Sequence, residues 1–192
     1  SDNELSRIFN LNLSLRKDLQ EARDLFLFSC FTGLKFSQMM KLKHEDVKGG
    51  KVNMINHFTG KGIQIPLNNY ANMILKRYEN LKLSYCFPQL QNVYMNKFVK
   101  EIAKLAKIEK PIEISIHKGK EIIKQIKPKY DLVTTDTARF TFASLSLQAG
   151  MRPELLMLIL GQKNINSLLQ YAIDSNPMKD IEMVNVWNKK VF

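Results

Sequence analysis

Apolar positions along the chain alternate between helical and strand periods. Asp18 to Phe31 is a long apolar-rich run followed by Gly33, the pattern of a helix with a glycine stop. A short helix is expected over Phe36 to Leu42. Lys51 to Asn56 and Ile63 to Leu67 read as two strands joined through Thr59-Gly60-Lys61-Gly62, a hairpin turn signal. Asn69 to Leu81 reads as a helix, with Tyr70, Met73, Ile74 and Arg77 at three-to-four spacing. Asn92 to Lys107 is another, with Phe98, Ile102 and Leu105 facing in and Lys97, Lys100, Lys104 and Lys107 striping the opposite side. Ile112, Ile114 and Ile116 alternate, and Ile122 to Lys127 returns after His117-Lys118-Gly119-Lys120, a second and basic hairpin. Asp136 to Gln148 is helical and ends at Gly150, Pro153 opens a helix through Leu160, and Gly161 breaks it. Ser167 to Ile173 and Met178 to Trp187 complete a helical C-terminal half. These elements predict one mostly helical α+β domain over residues 1–192, with small antiparallel sheets and no βαβ unit.

Size and charge narrow the function classes. The 192 residues, 45% of them hydrophobic, suffice for one domain with a core. No apolar run reaches membrane-spanning length, and the polar opening SDNELSR shows no signal peptide, so the expectation is a cytoplasmic protein. Ser1 to Asn3 read as added residues. Lys plus Arg number 29 against 18 acids, a net charge of +11, and between Met95 and Lys129 ten lysines face four glutamates. This excess points to a polyanionic partner, nucleic acid first and an anionic membrane second. Lysine rather than arginine favours attraction to phosphate over base reading. Cys30, in the run FLFSCF, reads as a buried core thiol, and Cys30 and Cys86 have no metal-ligand spacing. His44, His57 and His117 are scattered, and no zinc or P-loop motif appears, so neither a metal nor a cofactor is expected.

Three stretches, in order, carry a resemblance. Ala22 to Ser37 contains Thr32-Gly33-Leu34-Lys35 at a helix end. Thr134 to Ala143 contains Asp136-Thr137-Ala138-Arg139 at a Thr-rich helix start. Leu160-Gly161-Gln162 is followed nine residues later by Tyr171. Between them, Phe58-Thr59-Gly60-Lys61 leads to Ile65-Pro66-Leu67. Together these resemble the catalytic domain of tyrosine recombinases, the phage-integrase type, and are similar to integrases of conjugative and mobilisable elements. The match runs from Glu4 to about Ser175. It implies the recombinase catalytic-domain fold, without the N-terminal core-binding domain such proteins usually carry.

The resemblance also implies chemistry. A Tyr hydroxyl attacks a DNA phosphate, a 3′-phosphotyrosine forms, and the freed 5′-hydroxyl or that of another strand reverses the step without metal or ATP. Two Arg forks clamp the charged transition state, a Lys protonates the leaving oxygen, and His side chains donate further bonds. Tyr171 stands at the nucleophile position and Arg139 at one clamp. Lys35 replaces the other Arg and keeps the charge without the planar fork. Asp136 replaces a His and brings a carboxylate beside the phosphate; Gln162 replaces the third-box His and retains one donor. Phe58 replaces the catalytic Lys, with Lys61 as a substitute three residues on. The expectation is a DNA integration domain impaired in strand transfer; the alternative is a non-catalytic DNA-binding or regulatory module of the same ancestry. Double-stranded DNA is the expected partner, met by Lys97, Lys100, Lys104, Lys118 and Lys120, with self-assembly on DNA and no small-molecule substrate. The stripe Met178, Ile181, Val184 and Trp187 reads as docking on the chain's own core or on a neighbouring protomer.

Overall fold

The computed structural model describes residues 1–55, 60, 62–81, 83–119 and 121–162, apart from the side chains at 117, 118 and 121. Phe58, Lys61, His57, Lys120, Tyr171 and the two C-terminal helices expected from the sequence therefore lie outside the described residues.

One helix organises the rest. α2 (Lys17–Thr32) buries residues on every side, among them Leu19, Leu25, Phe26, Leu27 and Phe28. Every residue of α2 from Ala22 to Cys30 is buried, and α4 (Asn69–Glu79), α5 (Asn92–Leu105) and α6 (Thr135–Gln148) pack around it. Between α2 and α4 lie α3 (Phe36–Met39) and the antiparallel sheet β1 (Val47–Lys48), β2 (Lys51–Ile55) and β3 (Gly62–Pro66), ordered β1-β2-β3. Val52 pairs with Ile65, and both are buried beneath the sheet. β4 (Pro111–Lys118) and β5 (Glu121–Pro128) form a separate two-stranded hairpin, and α7 (Pro153–Leu160) follows α6.

Asp24 is a buried charge in α2, 1% exposed, and its carboxylate is surrounded by donors. Arg77 Nη1 donates to both oxygens at 2.8 and 3.0 Å, Tyr78 Oη donates at 3.1 Å, and Arg23 donates at 3.3 Å. A carboxylate buried this far is tolerable only when paired and hydrogen-bonded. Burial and the Asp24 charge together push the Tyr78 phenol far above its usual range.

The structure revises three expectations. Residues Asp2–Phe9 form a helix, α1, where the sequence pattern offered none. Ile8 of α1 is buried and Leu5 and Phe9 pack partly buried against the core, while Lys129 donates to Glu4 at 2.8 Å and Arg7 to the Lys107 carbonyl at 2.8 Å. In α4 the core face is Ala71, Ile74 and Tyr78, whereas Tyr70 is 54% exposed. In α5 the core face is Met95, Val99, Ile102 and Ala103, and Leu105 is half exposed because it falls past that stripe. Cys30 is buried as expected, which pushes its thiol up, and burial likewise pushes Cys86 up to about 11.

Candidate functional site

The Thr32-Gly33-Leu34 stretch is the tightly closed end of α2. Gly33 takes φ 73°, ψ 7°, and its N–H donates to the Ser29 carbonyl at 2.9 Å, the left-handed glycine stop. The Thr32 hydroxyl donates to the Phe28 carbonyl and the Ser29 hydroxyl to the Leu34 carbonyl, both at 2.7 Å. A Cβ on Gly33 would lie 2.6 Å from the Phe142 ring, so both the conformation and the space demand glycine. The chain leaves this turn with Lys35 exposed at the start of α3.

Leu160-Gly161-Gln162 ends α7 by related means. Gly161 takes φ 62°, ψ 39°, its N–H donates to the Leu158 carbonyl, and the Gln162 N–H donates to the Met157 carbonyl at 3.0 Å. This double closure is the Schellman arrangement, and it leaves the Leu160 carbonyl to another donor.

That donor is Arg139. Its Nη2 donates to the Leu160 carbonyl at 2.6 Å and its Nη1 to the Gly33 carbonyl at 3.1 Å. The half-buried guanidinium thus lies between the C-terminal ends of two helices, α2 and α7. Helix C-termini carry partial negative charge, so this is a favourable seat for a cation. All three sequence stretches meet at one side chain.

Asp136 lies one turn earlier on α6, exposed, within the helix's first turn where an acid favours the dipole. Thr134 opens the helix, its N–H donating to the Thr137 hydroxyl at 2.9 Å. Gln162 is half-buried beside the turn.

A groove of about 430 Å³ lies alongside the α7 end of this junction, lined by Lys35, Lys41, Asn53, Ile55, Leu160 and Gly161, with Asp46 also on its wall; Arg139 is not among its described lining residues. Lys41, which carries no motif in the sequence, reaches the groove just after α3. The larger cavity, about 940 Å³, is a separate groove walled by Phe9, Phe31, Tyr70 and Phe142. It shares none of the charged groups above.

The lysines expected to meet DNA are placed outside that lining. Lys97 and Lys104 are exposed on α5 and Lys100 is half-buried. The Lys104 ammonium stands 5.7 Å from the centre of the Tyr130 ring. Lys118 closes β4 at the hairpin tip. The hairpin also exposes Ile116, Ile122, Ile123 and Ile126. No group of three or more His, Cys, Asp or Glu suited to a metal occurs among the described residues. No helix of the described residues is long and apolar enough to cross a membrane.

No protein-family model matches the sequence, and no curated protein sequence does. Solved structures do match. The chain is similar to XerA recombinase at 17% identity and a TM-score of 0.66, covering 100% of this chain and 65% of that one. It is similar to XerH site-specific recombinase bound to palindromic difH substrate at 17% identity and TM-score 0.63, covering 98% and 51%. It is similar to the Tn1549 transposon integrase in complex with transposon right-end DNA at 20% identity and TM-score 0.58, covering 88% and 58%. The chain thus spans about half to two thirds of the length of these structures. Its fold is that of tyrosine-recombinase catalytic domains, mostly helical with small antiparallel sheets.

Proposed function

We propose that this chain is a DNA-binding integrase-type domain in which strand transfer is impaired. The observation that carries the reading is the junction at Arg139, where the three stretches that resemble tyrosine recombinases meet, with Lys35 lining the groove next to Leu160 and Gly161. A planar guanidinium seated by two carbonyls, with an exposed ammonium close by, suits a tetrahedral phosphate. In the intact reaction, the Tyr171 oxygen would bond to phosphorus as the bond to the 5′-oxygen breaks, a donor would protonate that oxygen, and attack by a 5′-hydroxyl would restore the diester. The excess of 29 basic over 18 acidic residues favours the approach of duplex DNA.

Impairment follows from the substitutions. Lys35 offers a point charge in place of a fork, Gln162 cannot shuttle a proton, Asp136 adds negative charge on the helix of Arg139, and Phe58 offers no donor, leaving Lys61 as the substitute. Loss of one transition-state donor costs about 10²- to 10³-fold, and losses within one catalytic unit do not multiply. A DNA-bound, weakly reactive domain would act in the cytoplasm and assemble with further copies on its site.

Nicked suicide duplexes, which trap the tyrosyl adduct, test both halves. Salt-dependent binding with covalent capture far below one adduct per chain is expected. Efficient capture through Tyr171 would remove the impairment, and loss of all binding at low salt would remove DNA as the partner.

A further inference from the structure

We infer that Gly161 is a positioning residue for Arg139: its left-handed turn presents the Leu160 carbonyl to the guanidinium, so the third stretch acts on the phosphate clamp through its main chain. The inference rests on the reading of Arg139 as a phosphate ligand. Its physical basis is the geometry of the α7 end. The N–H groups of Gly161 and Gln162 turn back to the Leu158 and Met157 carbonyls. That closure aims the Leu160 carbonyl outward, where it accepts from Arg139 at 2.6 Å, a shorter bond than the one from Arg139 to the Gly33 carbonyl at 3.1 Å. A guanidinium tied at two nitrogens to two different helices has lost its rotational freedom before an anion arrives, and pre-organisation of this kind raises affinity. The arrangement depends on residue 161 holding φ 62°, ψ 39°. β-Branched residues reject that region, whereas asparagine tolerates it.

Valine and asparagine are similar in size, which makes a discriminating pair. Gly161→Val should disturb the turn and Gly161→Asn should keep it, with Leu155→Ala on the exposed side of α7 as a control that alters the helix away from the turn. Two readouts apply to the whole chain. First, the slope of log affinity against log salt for a mixed-sequence duplex should fall by about 0.9 in Gly161→Val, one phosphate contact, with binding roughly tenfold weaker. Gly161→Asn and Leu155→Ala should keep the parent slope. Second, in NMR of the Arg139 side chain, the Nη hydrogens should give separate, slowly rotating signals in the parent and in Gly161→Asn, and averaged signals in Gly161→Val.

A folded Gly161→Val with the parent's slope and slow rotation overturns the inference, as does Gly161→Asn falling with it. Absence of DNA binding by the parent sinks the DNA reading, while the Arg139 signals still decide the positioning role. If Gly161→Val does not fold, Gly161→Ala against Gly161→Asn reads the same contrast.

Discussion

Asp24 and Arg139 are both charges withdrawn from solvent, yet they are satisfied in opposite ways. Asp24 is met by side chains, the guanidinium groups of Arg23 and Arg77 and the Tyr78 hydroxyl. Arg139 is met by main-chain carbonyls at the ends of α2 and α7. The first arrangement is a stability device: it stitches α2 to α4 around a buried carboxylate, with only Arg77 of the cluster reaching solvent. The second stitches helix ends together beside a groove that Leu160 and Gly161 line. Removing the charge should therefore cost most at Asp24 and change function most at Arg139.

Asp24→Ala gives the largest expected stability loss. It takes the carboxylate from the Arg23 guanidinium, 9% exposed and still bonded to the Leu11 carbonyl at 2.6 Å, and from the buried Tyr78 hydroxyl, and removing one partner of a buried ion pair costs about 3–5 kcal/mol. Urea denaturation would measure it; a loss under about 1 kcal/mol would mean that water reaches the carboxylate. Arg139→Ala should cost less, about 1–3 kcal/mol, because it takes a donor from the carbonyls of two buried residues but leaves no buried charge unpaired. The same substitution should abolish most of the phosphate-dependent affinity. Loss of stability with affinity unchanged would make Arg139 purely a core staple like Asp24.

The contrast also explains what could be read from the sequence. α2, α6 and α7 were legible because each begins or ends with local chemistry, Gly33, Thr134 or the Pro153 and Gly161 pair. The main-chain contacts of Arg139 were not legible, since a carbonyl has no letter. Helix α1 escaped notice for a similar reason. Its eight residues are too few to be stable alone, and what holds it lies far along the chain: Phe9 against Phe31 and Tyr70, and the contacts at Lys107 and Lys129. Lys41 reached the groove through a turn, without a motif.

The Glu4–Lys129 contact yields a smaller, pH-dependent effect. Partial burial disfavours the ionised form of Glu4, but bonds from Lys129, the terminal amine and Ser1 outweigh it and hold the carboxyl down at about 2. A depressed pKa gives stability that is present above the usual carboxylate value of 4.5 and lost as pH falls toward 2. Lys129 is 37% exposed, so solvent screening limits the contribution to about 1 kcal/mol. Glu4→Gln should therefore destabilise the chain at pH 7 and match the parent near pH 2. A constant difference across that range would assign the effect to packing of α1.

The smallest effect belongs to the hairpin, where neither kind of stitching operates. Ile126 is 73% exposed and pairs across the ladder with Glu113, whose carboxylate bonds Lys124 at 2.9 Å instead. Ile126→Thr keeps a β-branched side chain suited to a strand and removes apolar surface that the folded chain leaves in water. Stability should change by less than about 0.5 kcal/mol. A loss above about 1 kcal/mol that grows with protein concentration would show that Ile126 is covered by a second copy, and sedimentation of parent and variant would separate that case from an intrachain contact. An unchanged monomer would leave the hairpin as a surface whose lysines contribute charge and whose isoleucines contribute little to folding, the opposite of the division of labour at Asp24.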